Sequence, residues 1–402
     1  MKILVLNGGS SSFKASLYDV AGELPPRLAQ PLWSARAAWG RSDGKADLAV
    51  TTAAGVRIER QIDIDSPRAV IKPMLETLWE GPAKVVGSRG EIDAAGHRVV
   101  NGGKMFREPT RLTAEVKAKI VELGEFAPEH NPLEAAAIDA VEQALGPDLP
   151  QLAVFDTAFH RTLPREAIVY PGPYNWFETG IIRYGFHGIS HEYTSRRAAE
   201  VVRRSSHRMI TCHLGNGCSL AAVLDGRSVD TTMGFTPMEG LMMGSRSGSI
   251  DPGIIIYLVR DCGYDAGRLD QILNRESGLK GLSGVSGDMR EVLAAVEAGN
   301  ERAKLAFDIF VHRLVREIGG MMATLGGLDV LVFTAGIGEN SAPVREAVCR
   351  RLAFAGVKLD EARNTASPRD EDIAAPDSAV RVAVIHTEED WEIVRECCKL
   401  MC

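Results

Sequence analysis

The sequence has no Cys-x-x-Cys pair, and its seven cysteines are an odd number. Cys212, Cys218, Cys262, Cys349, Cys397, Cys398 and Cys402 therefore read neither as a disulfide framework nor as a zinc ribbon. They fit a reducing compartment. No apolar run approaches the roughly 18 residues of a membrane span; Ile254 to Val259 is among the longest. The opening MKILVLNGG holds only Ile3 to Leu6 as an apolar run, too short for a signal h-region. A soluble, cytoplasmic protein is expected. Positive charge is not in excess either. Forty-six Lys and Arg against 53 Asp and Glu leave a formal charge of −7, which excludes a surface built to coat nucleic acid or an anionic membrane. There is no low-complexity segment.

What is present is a globular composition. Apolar residues at 45% and charged residues at 25% exclude disorder as the main state and allow a sizeable core. At about 150 residues per domain, 402 residues predict two or three domains. The 40 glycines exceed the usual share of roughly 7%. They cluster, which points to loops where backbone approaches a ligand.

Strand-like and helix-like segments interleave, the mark of an α/β class. Ile3–Leu6 and Ser12–Val20 read as strands joined by the Gly-Ser turn Asn7–Ser11. That makes a hairpin rather than a P-loop, which needs a helix after its glycines. Asn131 reads as the cap of a helix with Pro132 at its first position and Gly146 past its end. Leu133, Ala136, Ala137, Ala140 and Val141 give that helix an apolar face. Gln151–Phe155 reads as a strand ending in Asp156, and Met209–His213 and Ser219–Leu224 as strands, the latter turned by Asp225-Gly226. Leu328–Phe333 runs into Thr334-Ala335-Gly336-Ile337-Gly338. Val382–Ile385 is the last strand, and Thr387 is expected to start the final helix. The polar stretch 363–380 reads as a surface loop. A strand, glycine-rich turn and strand recur at 3–20 and 209–225, the pattern of a duplicated domain.

Several residue groups could carry chemistry. In Asn7-Gly8-Gly9-Ser10-Ser11-Ser12-Phe13-Lys14, glycine amides and hydroxyls converge as in a phosphate cradle, and Lys14 adds a cation. The bland reading is a tight hairpin with a solvated lysine. His213-Leu214-Gly215-Asn216-Gly217 and Ala335-Gly336-Ile337-Gly338-Glu339-Asn340 are two further turns of this kind, and the second opens a helix where a nucleotide can sit. Asp156 ends a strand, where ligand sites of α/β sheets lie; it could equally be a helix cap. His187 and His191 have a zinc-compatible spacing but no third ligand, and Ser190 between them reads as an N-cap. His187, between glycines, suits a group offered to developing negative charge. Arg98 in HRVVNGG and Arg246 in MGSRSGSIDPG are forks for carboxylate or phosphate oxygens. Asp251-Pro252 reads as a cap and first helical position. Thr387 with Asp390 resembles a capping box, and Glu388, Glu389 and Asp390 could instead serve magnesium.

Taken in order, LVLNGGSSSFK, GHRVVNGG, APEHNP, VFDTAFH, YGFHGISH, CHLGNG, TTMGFTPMEGL, GSRSGSIDPG, SGDMR, FTAGIGENS and TEED resemble the acetokinase family over nearly the whole length. That family belongs to the acetate and sugar kinase, heat-shock ATPase and actin superfamily. The resemblance implies an α/β fold of two duplicated actin-like (ribonuclease H-like) domains with an ATP cleft between them. It implies domains at 1–156 plus 386–402 and at 157–385, the first closed by the C-terminal helix. It also implies a homodimer acting on acetate and ATP with Mg2+, Mn2+ being a substitute, and no nucleic-acid or membrane partner.

Residue by residue, the resemblance makes Asn7 and Glu389 magnesium-site residues. It makes Ser10, Ser12 and Lys14 phosphate-binding. His213, Leu214, Gly215, Asn216, Gly217, Asp288, Met289, Arg290, Gly336, Ile337, Gly338, Glu339 and Asn340 fall in ATP-binding segments. Arg98 matches the residue holding the substrate carboxylate, and Val100, Phe186 and Pro237 match the wall around its methyl group. Asp156, His187 and Arg246 match the catalytic residues. A carboxylic acid with a pKa near ~4 is ionised at neutral pH, so no strong base is needed and Asp156 is expected to orient rather than abstract. Three positions depart from the family's pattern: Asn101 stands for a histidine, Ser249 for an acid, and Glu129 for an apolar residue. They leave propionate or another short acid as the alternative substrate, since one methylene discriminates by only about 1–3 kcal/mol. A sugar kinase of the same superfamily would need a base and a polar pocket, whereas Arg98 suits an anionic acceptor.

Overall fold

The structure, a computed structural model, describes residues 1–8, 12–21, 28–39, 44–125, 130–203 and 208–401, with only the backbone of Pro67. Ser10 of the expected phosphate turn and Glu129 lie outside the described residues. The chain forms two compact units, Met1–Ala158 with Glu388–Cys402, and Phe159–Thr387.

The first unit is built on an eight-stranded sheet. Its strands are β1 (Lys2–Gly8), β2 (Ser12–Asp19), β3 (Trp33–Trp39), β4 (Lys45–Thr52), β5 (Arg57–Asp63), β6 (Ala94–Val99), β7 (Thr110–Arg111) and β8 (Gln151–Phe155), in the order β5-β4-β3-β2-β1-β6-β8-β7. The expected hairpin is there: β1 and β2 pair antiparallel from Lys2↔Asp19 to Gly8↔Phe13. β1 then pairs in parallel with β6, and β6 with β8. Parallel strands covered on both faces read as continuous apolar runs, and Ile3, Leu4, Val5 and Leu6 are all buried. The helix Glu389–Met401 lies against this sheet. A side chain at Gly96 of β6 would meet Ile393 Cγ2 at 2.6 Å and Cys397 Sγ at 2.7 Å, so the strand is glycine where the helix comes closest.

The helix Asn131–Leu145 ends at Gly146 as expected. Its start differs. His130 holds the cap position, and Asn131 is inside the first turn, fully buried. The Asn131 amide accepts from Asn101 N at 3.2 Å and donates to the Asn101 carbonyl at 3.0 Å. It ties loop to helix across the fold instead of capping its own helix. The buried stripe is Glu134, Ala135, Ala137, Ile138 and Val141, with Leu133, Ala136 and Ala140 at its margins. The face is rotated from the predicted one, and it carries a carboxylate.

The second unit has a six-stranded sheet. Its strands are β9 (Arg208–Leu214), β10 (Cys218–Leu224), β11 (Arg227–Thr231), β12 (Val330–Thr334), β13 (Glu371–Asp372) and β14 (Arg381–Val384), in the order β11-β10-β9-β12-β14-β13. β9 and β10 form the second expected hairpin, Leu214↔Cys218 to Arg208↔Leu224. Asp225 and Gly226 turn the chain with φ of 47° and 77°, the twist that a two-residue hairpin favours. β9 pairs in parallel with β12, and β12 with β14. The two sheets therefore share one sequence of pairings, antiparallel, antiparallel, parallel, parallel and a short antiparallel edge, which is the duplication expected from the recurring turns. β4 and β5 extend the first sheet alone.

Three local expectations are corrected. Ser190 is not a cap: the helix Gly188–Val202 starts earlier, His187 holds the cap position, and Ser190 is fully buried within the first turn. The final helix begins at Glu389, and Asp390 is engaged by Ser16 Oγ at 2.8 Å, so Thr387 and Asp390 do not make a capping box. The stretch 363–380 is not a surface loop. It contains the end of helix Glu361–Thr365 and all of β13, and it buries Asn364, Ile373, Ala374 and Val380. One of its polar residues, Asn364, serves a buried arginine. Arg345, 1% exposed, donates from Nε to Asn364 Oδ1 at 2.7 Å and from Nη2 to the Asn364 carbonyl at 2.7 Å. Its Nη1 reaches the carbonyls of Gly338 at 2.9 Å and Glu339 at 2.8 Å. One guanidinium thus ties the 336–340 turn to the 361–365 helix. Arg345→Met leaves those acceptors unsatisfied in the interior, and urea unfolding is expected to show a loss of about 3 kcal/mol; an unchanged midpoint would remove Arg345 as the tie.

Candidate functional site

In the first unit the parallel ends of β6 and β8 bring two charges together. Arg98 pairs with Val154 in register, and Asp156 N donates to the Val99 carbonyl at 2.9 Å. Arg98 Nη2 then meets Asp156 Oδ2 at 2.5 Å, with the Asp156 side chain 1% exposed. Asp156 does not act as a helix cap; the next element is the short 3-10 helix Ala158–Thr162. Arg98 Nη1 also donates to Asn7 Oδ1 at 3.2 Å, and Asn7 Nδ2 to Glu389 Oε2 at 3.2 Å. Asn7, Arg98, Asp156 and Glu389 are thus one connected polar group. Burial works against the guanidinium charge, and Asp156, Glu389 and Glu134 more than offset it, raising the Arg98 pKa above its ordinary value. Val100, 4% exposed, follows directly. Ser12 is half-buried and Lys14 exposed on β2, with Lys14 paired to Asn7 in register.

Glu134 is the member that sequence reasoning missed. It is 2% exposed, and its Oε2 accepts from Val100 N at 3.0 Å. Among the described residues its Oε1, Asn101 Nδ2 and Arg98 Nε are buried without a hydrogen-bond partner. Burial pushes its pKa up to about 8, with Arg98 and the Val100 amide pulling the other way. The available signal was a lone acid three residues after Asn131 within an apolar stripe. Asn101 is fully buried and accepts from Gly103 N at 2.7 Å.

In the second unit Gly215, Asn216, Asp288, Met289, Arg290, Gly336, Ile337 and Asn340 line one cavity of about 490 Å³, a volume suited to a nucleotide. Gly215 N donates to Gly217 O at 2.9 Å, closing the turn after β9. Asp288 caps the helix Met289–Glu297 through Arg290 N at 2.9 Å and pairs with the exposed Arg290 guanidinium at 2.5 Å. Ala335, at φ 63°, opens the helix Ala335–Asn340. Leu214 is fully buried, His213 8% exposed, and Gly338 packed against Phe333. The Glu339 carboxylate binds Ala335 N at 2.8 Å, Thr387 N at 3.2 Å and His386 Nδ1 at 2.5 Å. Burial raises its pKa, but the His386 bond and these amides win and hold it below the ordinary value.

His187 has φ 57°, a left-handed conformation that costs a non-glycine residue of order 1–3 kcal/mol and clusters at functional positions. Its ring stacks on His213 at 4.1 Å between centroids. A side chain at Gly217 would meet His187 Nε2 at 3.4 Å and Arg246 Nη1 at 3.5 Å, so both groups border the space beside that glycine. Arg246 Nη1 donates to the Pro237 carbonyl at 3.1 Å. Phe186 is 1% exposed and Pro237 half-buried. The loop of Pro237 is held by Glu239, which takes Arg183 Nη2 at 2.6 Å and the Tyr170 hydroxyl.

Glu134 gives a signed test. Its carboxyl titrates at about 4.5 when unfolded and near 8 when folded, so the folded protein holds the extra proton in that window. Stability should fall as pH rises from about 4.5 to 8. Glu134→Gln keeps an acceptor for Val100 N and should flatten this slope, so that urea unfolding favours the variant more at pH 8.5 than at pH 5. Parallel pH curves for the two proteins would show that the carboxyl does not titrate there.

The profile of the Acetokinase family matches residues 2–395. An acetate kinase of Nostoc punctiforme is 55% identical over 404 residues, covering 100% of both chains. Among solved structures, a Porphyromonas gingivalis acetate kinase superposes with a TM-score of 0.90 at 38% identity, covering 100% of both chains. A propionate kinase of Francisella tularensis superposes with a TM-score of 0.89 at 38% identity, covering 98% of each.

Proposed function

The chain belongs to the acetokinase family, with the actin-like fold of that family, and from that premise we propose that it transfers the γ-phosphoryl group of ATP to acetate, reversibly and in line, giving acetyl phosphate and ADP. The observation that carries this reading is the Arg98–Asp156 pair at 2.5 Å beside buried Val100. A fixed guanidinium next to an apolar wall fits a short carboxylate better than a sugar hydroxyl.

In this reading Arg98 holds the attacking carboxylate, and Val100, Phe186 and Pro237 surround its methyl group. The acceptor is already ionised, so Asp156 holds Arg98 in place and no base is required. His187 and Arg246 face the charge of the phosphoryl group in flight, the main demand of such a reaction. Ser10, Ser12 and Lys14 take phosphate oxygens. Gly215, Asn216, Asp288, Met289, Arg290, Gly336, Ile337 and Asn340 receive the nucleotide, with His213, Leu214, Gly217, Gly338 and Glu339 shaping its turns. The amide oxygen of Asn7 and the carboxylate of Glu389, joined through a 3.2 Å hydrogen bond, are the hard oxygen donors that Mg2+ prefers, and Mn2+ accepts the same set. When bound, the ion would offset phosphate charge. Propionate is the second reading, favoured by the likeness to the Francisella tularensis protein.

We also propose a cytoplasmic homodimer. Among the described residues no helix is long and apolar enough to cross a membrane, and Cys212, Cys218, Cys262, Cys349 and Cys397 are free thiols. The helix Pro252–Cys262 buries none of its residues, leaving Ile256 59% and Tyr257 54% exposed. Such a face suits a second copy of the chain. Ile256→Glu should then shift sedimentation from dimer to monomer; a wild-type monomer refutes the proposal.

With ATP and Mg2+, a hydroxamate assay should give its strongest signal with acetate. Propionate in first place would keep the chemistry and move the substrate. ADP release with glycerol and no hydroxamate from any acid would overturn the reading. Asp156→Asn should lose most activity at every pH, whereas recovery on raising the pH would make Asp156 a base.

A further inference from the structure

The chain between β11 and the helix Pro252–Cys262 carries both Pro237 and Arg246. Among the described residues, 232–251 belong to no strand or helix, so the shape of this loop depends on other contacts. Three side chains supply them. Arg183 Nη1 donates to three successive carbonyls, Thr231 at 3.2 Å, Thr232 at 3.0 Å and Met233 at 3.0 Å. Its Nη2 donates to Glu239 Oε1 at 2.6 Å. One guanidinium therefore joins the start of the loop to residue 239. The Tyr170 hydroxyl joins the middle of the loop to the same carboxylate, since it bonds Phe235 N at 2.8 Å and Glu239 Oε2. The Gly234 carbonyl accepts from Tyr184 N at 3.0 Å. A side chain at Gly234 would overlap the Glu239 carboxylate and the Tyr170 hydroxyl, so the loop passes directly over this pair.

The chemistry of the groups fixes the direction of each bond. A guanidinium and a backbone N–H only donate, and a carbonyl only accepts. Phe235 N–H therefore gives its proton to the Tyr170 oxygen, and the one phenolic proton goes to Glu239. Burial, with the Glu239 bond, raises the Tyr170 pKa above its ordinary value, so the hydroxyl keeps that proton. Glu239 accepts with one oxygen from Arg183 and with the other from Tyr170. Pro237 lies between the two anchored positions, Phe235 and Glu239, and its carbonyl accepts from Arg246 Nη1 at 3.1 Å. Just past the clamp, Gly240 N donates to Ser249 Oγ and Ser249 N to the Gly240 carbonyl, both at 2.9 Å. These bonds tie the loop to the segment that follows Arg246. An arginine side chain has many rotamers, and a carbonyl held in place narrows the choice.

We infer that Arg183, Tyr170 and Glu239 are positioning residues for the phosphoryl transfer: they fix the Pro237 carbonyl, and through it they orient the Arg246 guanidinium. None of the three is assigned a contact with substrate or nucleotide. The inference rests on the role proposed for Arg246 in stabilising the phosphoryl group in flight. An interaction made only at that stage raises kcat and leaves ground-state binding alone, so the clamp should be visible in kcat and silent in KM.

Tyr170→Phe removes one hydroxyl and keeps the ring over which the Arg183 guanidinium lies, 5.6 Å from its centroid. In the full chain it should lower kcat about tenfold, with KM for acetate and for ATP within about twofold of wild type. In an Arg246→Lys background the same change should cost less than about twofold, because the fork that the clamp orients is gone. A role in stability alone would give the same loss in both backgrounds. Glu239→Gln, which has one oxygen for two donors, should act in the same direction, and it preserves the test if Tyr170→Phe does not fold. A wild-type kcat in both variants, or a loss undiminished by Arg246→Lys, overturns the inference. A crystal structure of the variant reads the geometry without substrate. The separation of Arg246 Nη1 from the Pro237 carbonyl, 3.1 Å in the wild type, should open beyond about 3.5 Å, and an intact contact overturns the inference as well. A wild type that makes no acyl phosphate would overturn the proposed function instead, and the variant's structure would still decide whether the clamp holds Arg246.

Discussion

The parallel pairing of β6 with β8 is the constraint on which the polar centre of the first unit depends. It places Arg98 and Asp156 at neighbouring strand ends and seals them with the Asp156 N to Val99 O bond. A buried ion pair is a poor source of stability, because desolvation offsets most of the attraction. Its value here is directional. With Asp156 on one side and Asn7 on another, the Arg98 guanidinium has a single orientation. The neighbouring burial of Glu134 follows from the same geometry, since the helix Asn131–Leu145 packs over the end of β6 and brings a carboxyl against the Val100 amide.

The second unit repeats the strand pattern and uses it differently. In the first sheet the strand ends gather a cation and carboxylates. In the second, the turn after β9 and the turn after β12 line a cavity, and β9 and β10 carry hydroxyls bonded to histidines. The difference lies in side chains at equivalent strand ends, while the backbone plan is common to both.

Much of this was legible in the sequence. Apolar runs followed by glycine turns located both hairpins, and strand-end residues such as Asp156 and Asn216 stood out because α/β sheets keep ligands there. What was not legible depended on contacts distant in sequence. Asn131 and Ser190 have the chemistry of caps, yet each is drawn into the interior by partners far along the chain, Asn101 and His213. The polar residues of 363–380 are held by partners outside the segment, Asn364 by Arg345, Asp370 by Arg197 and Asp372 by Arg381, which no local pattern reveals. Glu134 could not be singled out from local pattern alone, since only the packed structure shows what covers it. Ser219 reads as one more strand residue until two histidines are found on either side of its hydroxyl.

The helix against Gly96 bears on how the chain folds as it is made. The first unit is discontinuous: its sheet is translated before the second unit, and the helix that covers β1 and β6 is translated after it. Until then the glycine-lined face of β6 has no cover, and Asn7 has no Glu389. During synthesis the second unit can assemble as an uninterrupted segment, whereas the first must wait with an open apolar surface. The order of maturation is thus the reverse of the order of synthesis, and the carboxylate that completes the Asn7 centre arrives only after the second unit has been made.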